Sequence, residues 1–365
     1  MKKIICVVAC IVVIIIVGIF LINGKRENTD VTKERTKVGF LLIGSCGDNS
    51  YNQSHFEGME KTAEKLNLEV TYKENVPADA SCKKVMEELI AEGCEIIICN
   101  SFDFGDWALQ VAEENPEVYF YHATGIKQSK NLATYFARIY QIRYLSGIVA
   151  GLQSETNEIG YVAAMPISEV NRGINAFTLG VRAVNKDAVV HVAWSDSWTD
   201  DTAAEQAAKE LLDSYDIDVI TMHTDSNKVL EVAEKRGIWS IGYNVDNSAL
   251  YPNSFLTAPI WQWEDYYEPH ILKCLQGKFR GEHYWEGTST GVVGLAPLTG
   301  NVKEGIAEIV EAERQRLEDG SFDVFYGPVK DNEGNVRVEK GENLSDDTML
   351  NRFDWYVEGV AIHEK

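Results

Sequence analysis

Side chains suited to holding a small ligand recur in short clusters, each directly after a run of apolar and β-branched residues. Gly44-Ser45-Cys46-Gly47-Asp48-Asn49-Ser50-Tyr51-Asn52-Gln53 follows Val38–Ile43, and Asn100-Ser101-Phe102-Asp103-Phe104 follows Glu95–Cys99. Later come Ser168–Asn171, Ser195-Asp196-Ser197-Trp198, His223-Thr224-Asp225-Ser226 and Asn244-Val245-Asp246-Asn247. Carboxylates and amides fix the hydrogen-bonding edges of a ligand, while aromatic faces cover a planar ring. A nucleobase fits both halves of that description, and so does a sugar. Each cluster also has a plainer reading. Asp and Ser after a strand often cap the next helix, and Trp198 and Trp263 are equally readable as packing residues.

The patterns of catalysis are thin. His223 lies two residues from Asp225, a spacing at which side chains converge only if the backbone bends them together. No GxSxG elbow, HExxH helix or CxxC pair accompanies them. The Gly44–Gly47 loop lacks both GxGxxG and GxxxxGK[ST], so it gives weak support for dinucleotide or P-loop chemistry. Beyond residue 27 the cysteines are Cys46, Cys82, Cys94, Cys99 and Cys274, an odd set without disulfide or zinc spacing. The chain reads as a binder with no cofactor and no metal, not as an enzyme.

The elements that position these clusters are legible. Val38–Ile43, Leu68–Lys73, Glu95–Cys99 and Val118–Tyr121 start 30, 27 and 23 residues apart; Ile159–Met165, Ala188–Trp194, Ile217–Met222 and Ile238–Tyr243 start 29, 29 and 21 apart. Helical patterns fill the gaps, which predicts an α/β protein of two Rossmann-like lobes with parallel sheets and right-handed crossovers. Ser54-His55-Phe56-Glu57 has the form of a capping box, with Phe56, Met59, Ala63 and Leu66 following at helical spacing. Gly93 and Gly237 are expected to end later helices. The ligand crevice belongs at the carboxyl ends of such strands, where the clusters lie. Phe255–Pro259, a helix near Glu264–Gln276 and Gly291–Leu295 suggest a return to the first lobe near Trp261 and back near Gly291. The predicted lobes are therefore 37–138 with 261–290, and 139–260 with 291–365. A helix over Val302–Gly320 and a hairpin over Gly327–Val338 would decorate the second.

Residues 4–22 carry no charge, long enough as a helix to span a bilayer core. Residues 1–27 are expected to form an uncleaved membrane anchor that exports the rest, with lipidation at Cys10 as the alternative. Residues 28–365 hold 30 basic against 55 acidic side chains, a net −25 that disfavours nucleic acid as a partner.

From Lys37 to Leu298 the chain resembles the basic-membrane-protein family of ABC-transporter substrate-binding proteins. The likeness rests on the order of GSCGDNSYNQSHFEGM, ENVP, CNSFDFGD, YHATG, RIYQIRY, EVNRGINAFTLG, DSWTD, MHTDS and TAPIWQWEDYY. It implies a type I periplasmic-binding-protein fold that closes on a purine nucleoside or base, or on riboflavin in another branch. Carried over by position, Asp48, Tyr51 and Asn52 fall in the first ligand loop, and Phe102 or Phe104 at a stacking position. Asn175, Trp198, Asp225 and Asp246 resemble second-lobe contacts, and Trp263 falls near the return crossing. The nucleoside branch usually carries Thr-Ser-x-x-Lys where this chain has Thr257-Ala258-Pro259-Ile260-Trp261. A tryptophan in place of that lysine points to a free purine base. The expected role is capture of the ligand and its delivery to an ABC permease, by a monomer on the extracytoplasmic face of the cell membrane. The alternative is a sensor module that presents its bound ligand to a membrane receptor or kinase.

Overall fold

The computed structural model describes residues 35–363, so the expected anchor and Cys10 lie outside the described residues. The first stretch runs β1 (Lys37–Leu41), α1 (Tyr51–Leu66), β2 (Glu69–Lys73), α2 (Ser81–Ala91), β3 (Ile96–Cys99), α3 (Gly105–Glu114), β4 (Tyr119–Ala123) and β5 (Leu132–Ala137). The second runs α4 (Tyr140–Gln153), β6 (Glu158–Ala163), α5 (Ser168–Val184), β7 (Val189–Trp194), α6 (Asp201–Ser214), β8 (Val219–His223), α7 (Lys228–Arg236), β9 (Trp239–Ile241) and β10 (Phe255–Thr257). Then come β11 (Pro259–Trp261), α8 (Glu264–Leu275), β12 (His283–Glu286), β13 (Val293–Leu295) and α9 (Ile306–Glu318). The last elements are β14 (Val329–Lys330), β15 (Val336–Val338), α10 (Asp346–Asn351) and β16 (Val360–His363).

Two six-stranded sheets result, ordered β12-β5-β4-β3-β1-β2 and β10-β9-β8-β6-β7-β16. Every pairing within them is parallel. Buried on both faces, the central strands are nearly continuous apolar runs, as Ile96, Ile97, Ile98 and Cys99 show. The chain passes between the sheets after β5, after β11 and after β12, and β11 pairs antiparallel with β13 beside these crossings. Three crossing segments therefore join the two lobes, the connectivity from which hinged lobes are built.

Helices α4 and α5 pack together across the second sheet. Their approach is close because a Cβ on Gly147 would sit 2.1 Å from the Phe177 carbonyl oxygen, and one on Gly180 2.0 Å from that of Tyr144. Alanine at either position would push the helices apart.

Local signals compete in instructive ways. Helix α1 starts at Tyr51, so Ser54 lies inside it, donating from Oγ to the Tyr51 carbonyl at 2.7 Å, and the expected capping box is not used. Gly237 does end its helix, in the left-handed conformation at φ 67°. Strands β5 and β16 and helix α4 were not among the predicted elements. The five described cysteines are all free thiols.

Candidate functional site

The loop after β1 is built by Asp48. Its Oδ1 accepts the N–H groups of Ser50 at 2.8 Å and Gln53 at 3.0 Å. Its Oδ2 accepts the backbone N–H of Asn52 at 2.9 Å and the side-chain amide of Asn52 at 2.8 Å. Those backbone donors are the ones the first turn of α1 leaves unpaired, so the carboxylate serves as the cap. The Asn52 side-chain Oδ1 in turn accepts Gly44 N–H at 3.1 Å and Asn100 Nδ2 at 2.9 Å. This buried amide pair ties the loop after β1 to the loop after β3. It also explains Gly44, where a Cβ would lie 2.6 Å from Asn52 Nδ2. Tyr51 donates its hydroxyl to the Asn100 carbonyl at 2.5 Å.

The second sheet answers with Asn244, held at φ 71°, a left-handed conformation that asparagine tolerates. Its Nδ2 donates to Ser50 Oγ at 2.9 Å and to Asp225 Oδ1 at 2.8 Å. Its Oδ1 accepts the indole N–H of Trp261 at 2.9 Å. One side chain thus joins the first-lobe loop, the second-lobe carboxyl and the crossing strand β11. Beside it the Asn49 carbonyl accepts Asn227 Nδ2 at 2.9 Å and Asn247 Nδ2 at 3.1 Å. The lobes meet along this rim.

Charge is concentrated behind the rim. Burial, then the negative charges of Asp48 and Glu169, push Asp225 up to about 8 against the hydrogen bonds from Asn244 and Ser50. Burial also raises Glu169, although Arg172 and Arg143 oppose the shift. Burial, with nearby Tyr135, Glu169, Asp225 and Tyr243, holds the Tyr51 phenol well above its ordinary range. Arg143 donates Nη1 to the Met222 carbonyl at 2.7 Å and lies 3.9 Å over the Tyr243 ring; its Nε and Nη2 have no hydrogen-bond partner among the described residues. His223 is kept neutral by burial and by the arginines, with Nδ1 2.9 Å from the Tyr161 hydroxyl. It forms no pair with Asp225, whose partners are Asn244 and Ser50. A proton-shuttling His–Asp couple is therefore not built here, and the group that stands out is a carboxyl pushed up to about 8.

The structure brings together Asp48, Tyr51, Asn52 and Asp225 of the residues singled out from sequence, although Asp48 and Asn52 spend their hydrogen bonds on the loop itself. Trp198 is close by, with its carbonyl accepting Asp225 N–H at 2.7 Å and its ring edge-on to His223 at 5.9 Å. Phe102 is 55% exposed on a single 3₁₀ turn, whereas Phe104 is wholly buried in the core of the first lobe. Asp246 is exposed and caps Ser248 N–H at 2.9 Å. Asn175 points away from this cluster, donating to the Trp355 carbonyl at 2.8 Å and accepting Val357 N–H at 2.9 Å. Trp263 is fully buried in a stack between His55 at 4.4 Å and Trp261 at 4.5 Å. Glu169, Arg143, Tyr243 and Asn244 were not singled out. Glu169 and Asn244 lie within clusters that drew attention as polar loops, and Arg143 lies within RIYQIRY. Burial of their charge or amide is the missing signal, and a loop reading does not reveal it.

Residues 35–320 match the family model described as ABC transporter substrate-binding protein PnrA-like. A purine-binding protein of Brucella abortus is 35% identical over 350 residues, covering 95% of this chain and 98% of the relative. A putative ABC transporter glucose-binding protein of Haloferax volcanii is 32% identical over 343 residues, covering 93% of this chain and 84% of the relative. An ABC transporter solute-binding protein from Conexibacter woesei superposes with TM-score 0.68 at 21% identity, over 79% of this chain and 98% of that one. A transcriptional activator of the comK gene from Bacillus halodurans gives TM-score 0.71 at 23% identity, over 78% and 99%. At those identities the two structures speak to the fold alone, and it is the two-lobed α/β fold of periplasmic binding proteins.

Proposed function

Since the chain belongs to the Bmp family of PnrA-like ABC transporter substrate-binding proteins, we propose that it captures a free purine base between its lobes. In this reading residues 4–22 hold it, as a monomer, on the extracytoplasmic face of the cell membrane, where it hands the base to an ABC permease without altering it. The observation that carries the ligand reading is the carboxyl of Asp225, up at about 8 and set where the two lobes meet. A neutral carboxylic acid offers one O–H donor beside one acceptor oxygen. With Oδ1 held by Asn244 and Ser50, the O–H on Oδ2 can donate to an acceptor nitrogen or carbonyl of a purine, as a carboxylate could not.

Three surroundings support the same reading. Asp225 Oδ1 is occupied by Asn244, which leaves Oδ2 for a ligand. The rings of Tyr51 and Tyr243 lie within electrostatic reach of that carboxyl. Trp261, where the resemblance leads one to expect a lysine, has its indole N–H bound to Asn244 and offers no cation to a ribose. The relative from Brucella abortus, named as purine-binding, adds the same class. Contacts from both lobes would make the closed state the tighter binder, and that difference drives closure.

The test is a thermal-shift panel on the full-length chain in nanodiscs, unfolded and refolded first to remove any carried-over ligand. Adenine, guanine, hypoxanthine, xanthine, their nucleosides, riboflavin and glucose make up the panel. A ligand at ~100 times its Kd adds about 2.7 kcal/mol. Stabilisation by a base and not by its nucleoside is the expected result. Stabilisation by glucose or by nucleosides alone would overturn the ligand and leave the binding role intact.

A further inference from the structure

Away from the cleft, a cavity of about 280 Å³ opens on the first lobe between β4, β5, helix α8 and the segment leading into β12. It lies toward the amino-terminal ends of the strands, the end opposite the ligand loops. Its walls are aromatic. Tyr266 packs edge-on to Tyr121 at 6.2 Å and to Tyr284 at 4.9 Å, and Phe279 closes on Tyr121 at 5.4 Å. Tyr121 and Tyr284 spend their hydroxyls on the His270 carbonyl and on Thr290 Oγ1. Tyr266 does not: it is 1% exposed, it lines the cavity, and its hydroxyl has no hydrogen-bond partner among the described residues. Its hydroxyl opens on the cavity and is free to donate to whatever occupies it.

The mouth of the cavity is cationic. Lys273, Lys278 and Arg280 line it, together with one carboxylate, Glu282. In so acidic a chain most lysines and arginines find a carboxylate, as Lys61 and Lys65 do with Glu264 and Glu268 on this same helix α8. The three at the mouth form no ion pair among the described residues. An aromatic box alone would suit a cation, but three unpaired positive charges at its entrance repel one.

We infer that this cavity is a second ligand site, separate from the cleft, for a small aromatic carboxylate. The ring would lie against Tyr121, Phe279 and Tyr284, beside the edge of Tyr266, which is itself stacked on Tyr135 at 4.3 Å and His270 at 4.2 Å. The anionic group would sit toward Lys273, Lys278 and Arg280, and the Tyr266 hydroxyl would donate to an oxygen of the ligand. The volume is at the low end for ligand pockets, which start near ~300 Å³, so a single ring fits better than a nucleotide.

The probe is 4-fluorobenzoate, followed by ¹⁹F NMR line broadening on the full-length chain in nanodiscs, with empty nanodiscs subtracted. Saturable binding is expected, displaced by benzoate but not by cyclohexanecarboxylate, which lacks the ring face, nor by benzylamine, which reverses the charge. K278E/R280E changes only exposed side chains and should weaken binding about tenfold or more, the scale of a lost ~1.4 kcal/mol charge contact. Tyr266→Phe should weaken it several-fold. Asp225→Ala, in the cleft, should leave it unchanged. No saturable binding, or an affinity indifferent to K278E/R280E, would overturn the site. So would binding abolished by Asp225→Ala, because the probe would then occupy the cleft.

Discussion

At Asp225, burial and the charges of Asp48 and Glu169 favour the neutral acid, while the amide of Asn244 and the hydroxyl of Ser50 favour the carboxylate. Burial wins, and a group that ionises near ~3.9 in an unfolded chain keeps its proton to about 8 in the folded one. Between those two values the unfolded state binds fewer protons, so raising the pH favours unfolding. The contribution of this carboxyl to stability is complete below ~4 and is lost as the pH rises through about 8. The melting temperature should therefore fall more steeply from pH 5 to pH 9 in the natural protein than in Asp225→Asn, whose amide does not titrate. Parallel curves would mean that Asp225 is already ionised. Binding gives a second readout. If the acid O–H donates to the ligand, affinity drops by about tenfold per pH unit above the transition, and Asp225→Asn flattens that profile. Asp225→Ala should weaken binding far more than it lowers the melting temperature, and an unchanged Kd would remove the residue from the site. The neighbouring carboxylates show how little of this is legible from residue type. Asp48, Asp225 and Asp246 all follow strands in polar clusters, yet one caps a helix, one is half-buried at the lobe contact and one is exposed. Those fates depend on partners that local sequence does not contain.

At the scale of elements, helix α5 shows a motif serving a task far from the loop it follows. Asn171 and Asn175 are four residues apart, which puts them on one helical face. That face holds the C-terminal segment: Asn171 donates to the Phe353 carbonyl at 2.8 Å, Arg172 donates to the Met349 carbonyl, and Asn175 bonds both Trp355 and Val357. The segment then enters the second sheet as β16 beside β7. Asn175→Ala leaves a buried carbonyl and a buried N–H without partners, about 1–3 kcal/mol each. It should lower the melting temperature by several degrees and speed amide exchange at Val360–His363, with the ligand Kd within twofold of the natural protein. A Kd that collapsed while stability held would place Asn175 at the ligand after all. The strand–helix alternation was legible because period, length and turn residues are local properties. The start of α1 was not, because Ser54 and Asp48 both look like caps and only the three-dimensional path of the Gly44–Ser50 loop selects the second. The binding partner of Asn175 lies 182 residues away along the chain, out of reach of any window.

Across the whole molecule the question is what keeps the lobes together before a ligand helps. At the ligand rim the direct bonds are few and uncharged on the first-lobe side: the Asn49 carbonyl with Asn227 and Asn247, and Ser50 with Asn244 and Asp225. Away from the rim, Arg138 at the first crossing pairs with Asp346 at 2.7 Å. Neutral hydrogen bonds at a partly exposed rim are each worth only about 0.5–1.5 kcal/mol net. Such a rim biases the hinge toward closure without locking it, which suits a carrier that must reopen at its permease. The Asn49 carbonyl is presented by a backbone held at φ 53°, a left-handed conformation that asparagine accepts and a β-branched residue does not. Removing both amides, as Asn227→Ala with Asn247→Ala, should shift the unliganded population toward the open form. Apparent affinity scales with the fraction of molecules able to close, so losing two such bonds should weaken binding by roughly five- to a hundred-fold. Small-angle scattering would show a larger radius of gyration for the unliganded double variant than for the natural protein, and saturating ligand would bring the two together. Asn49→Val should act in the same direction through strain at φ 53°. An unchanged radius with an unchanged Kd would mean that the rim contacts follow closure and do not bias it. The hinge would then rest on the three crossings and on the ligand itself.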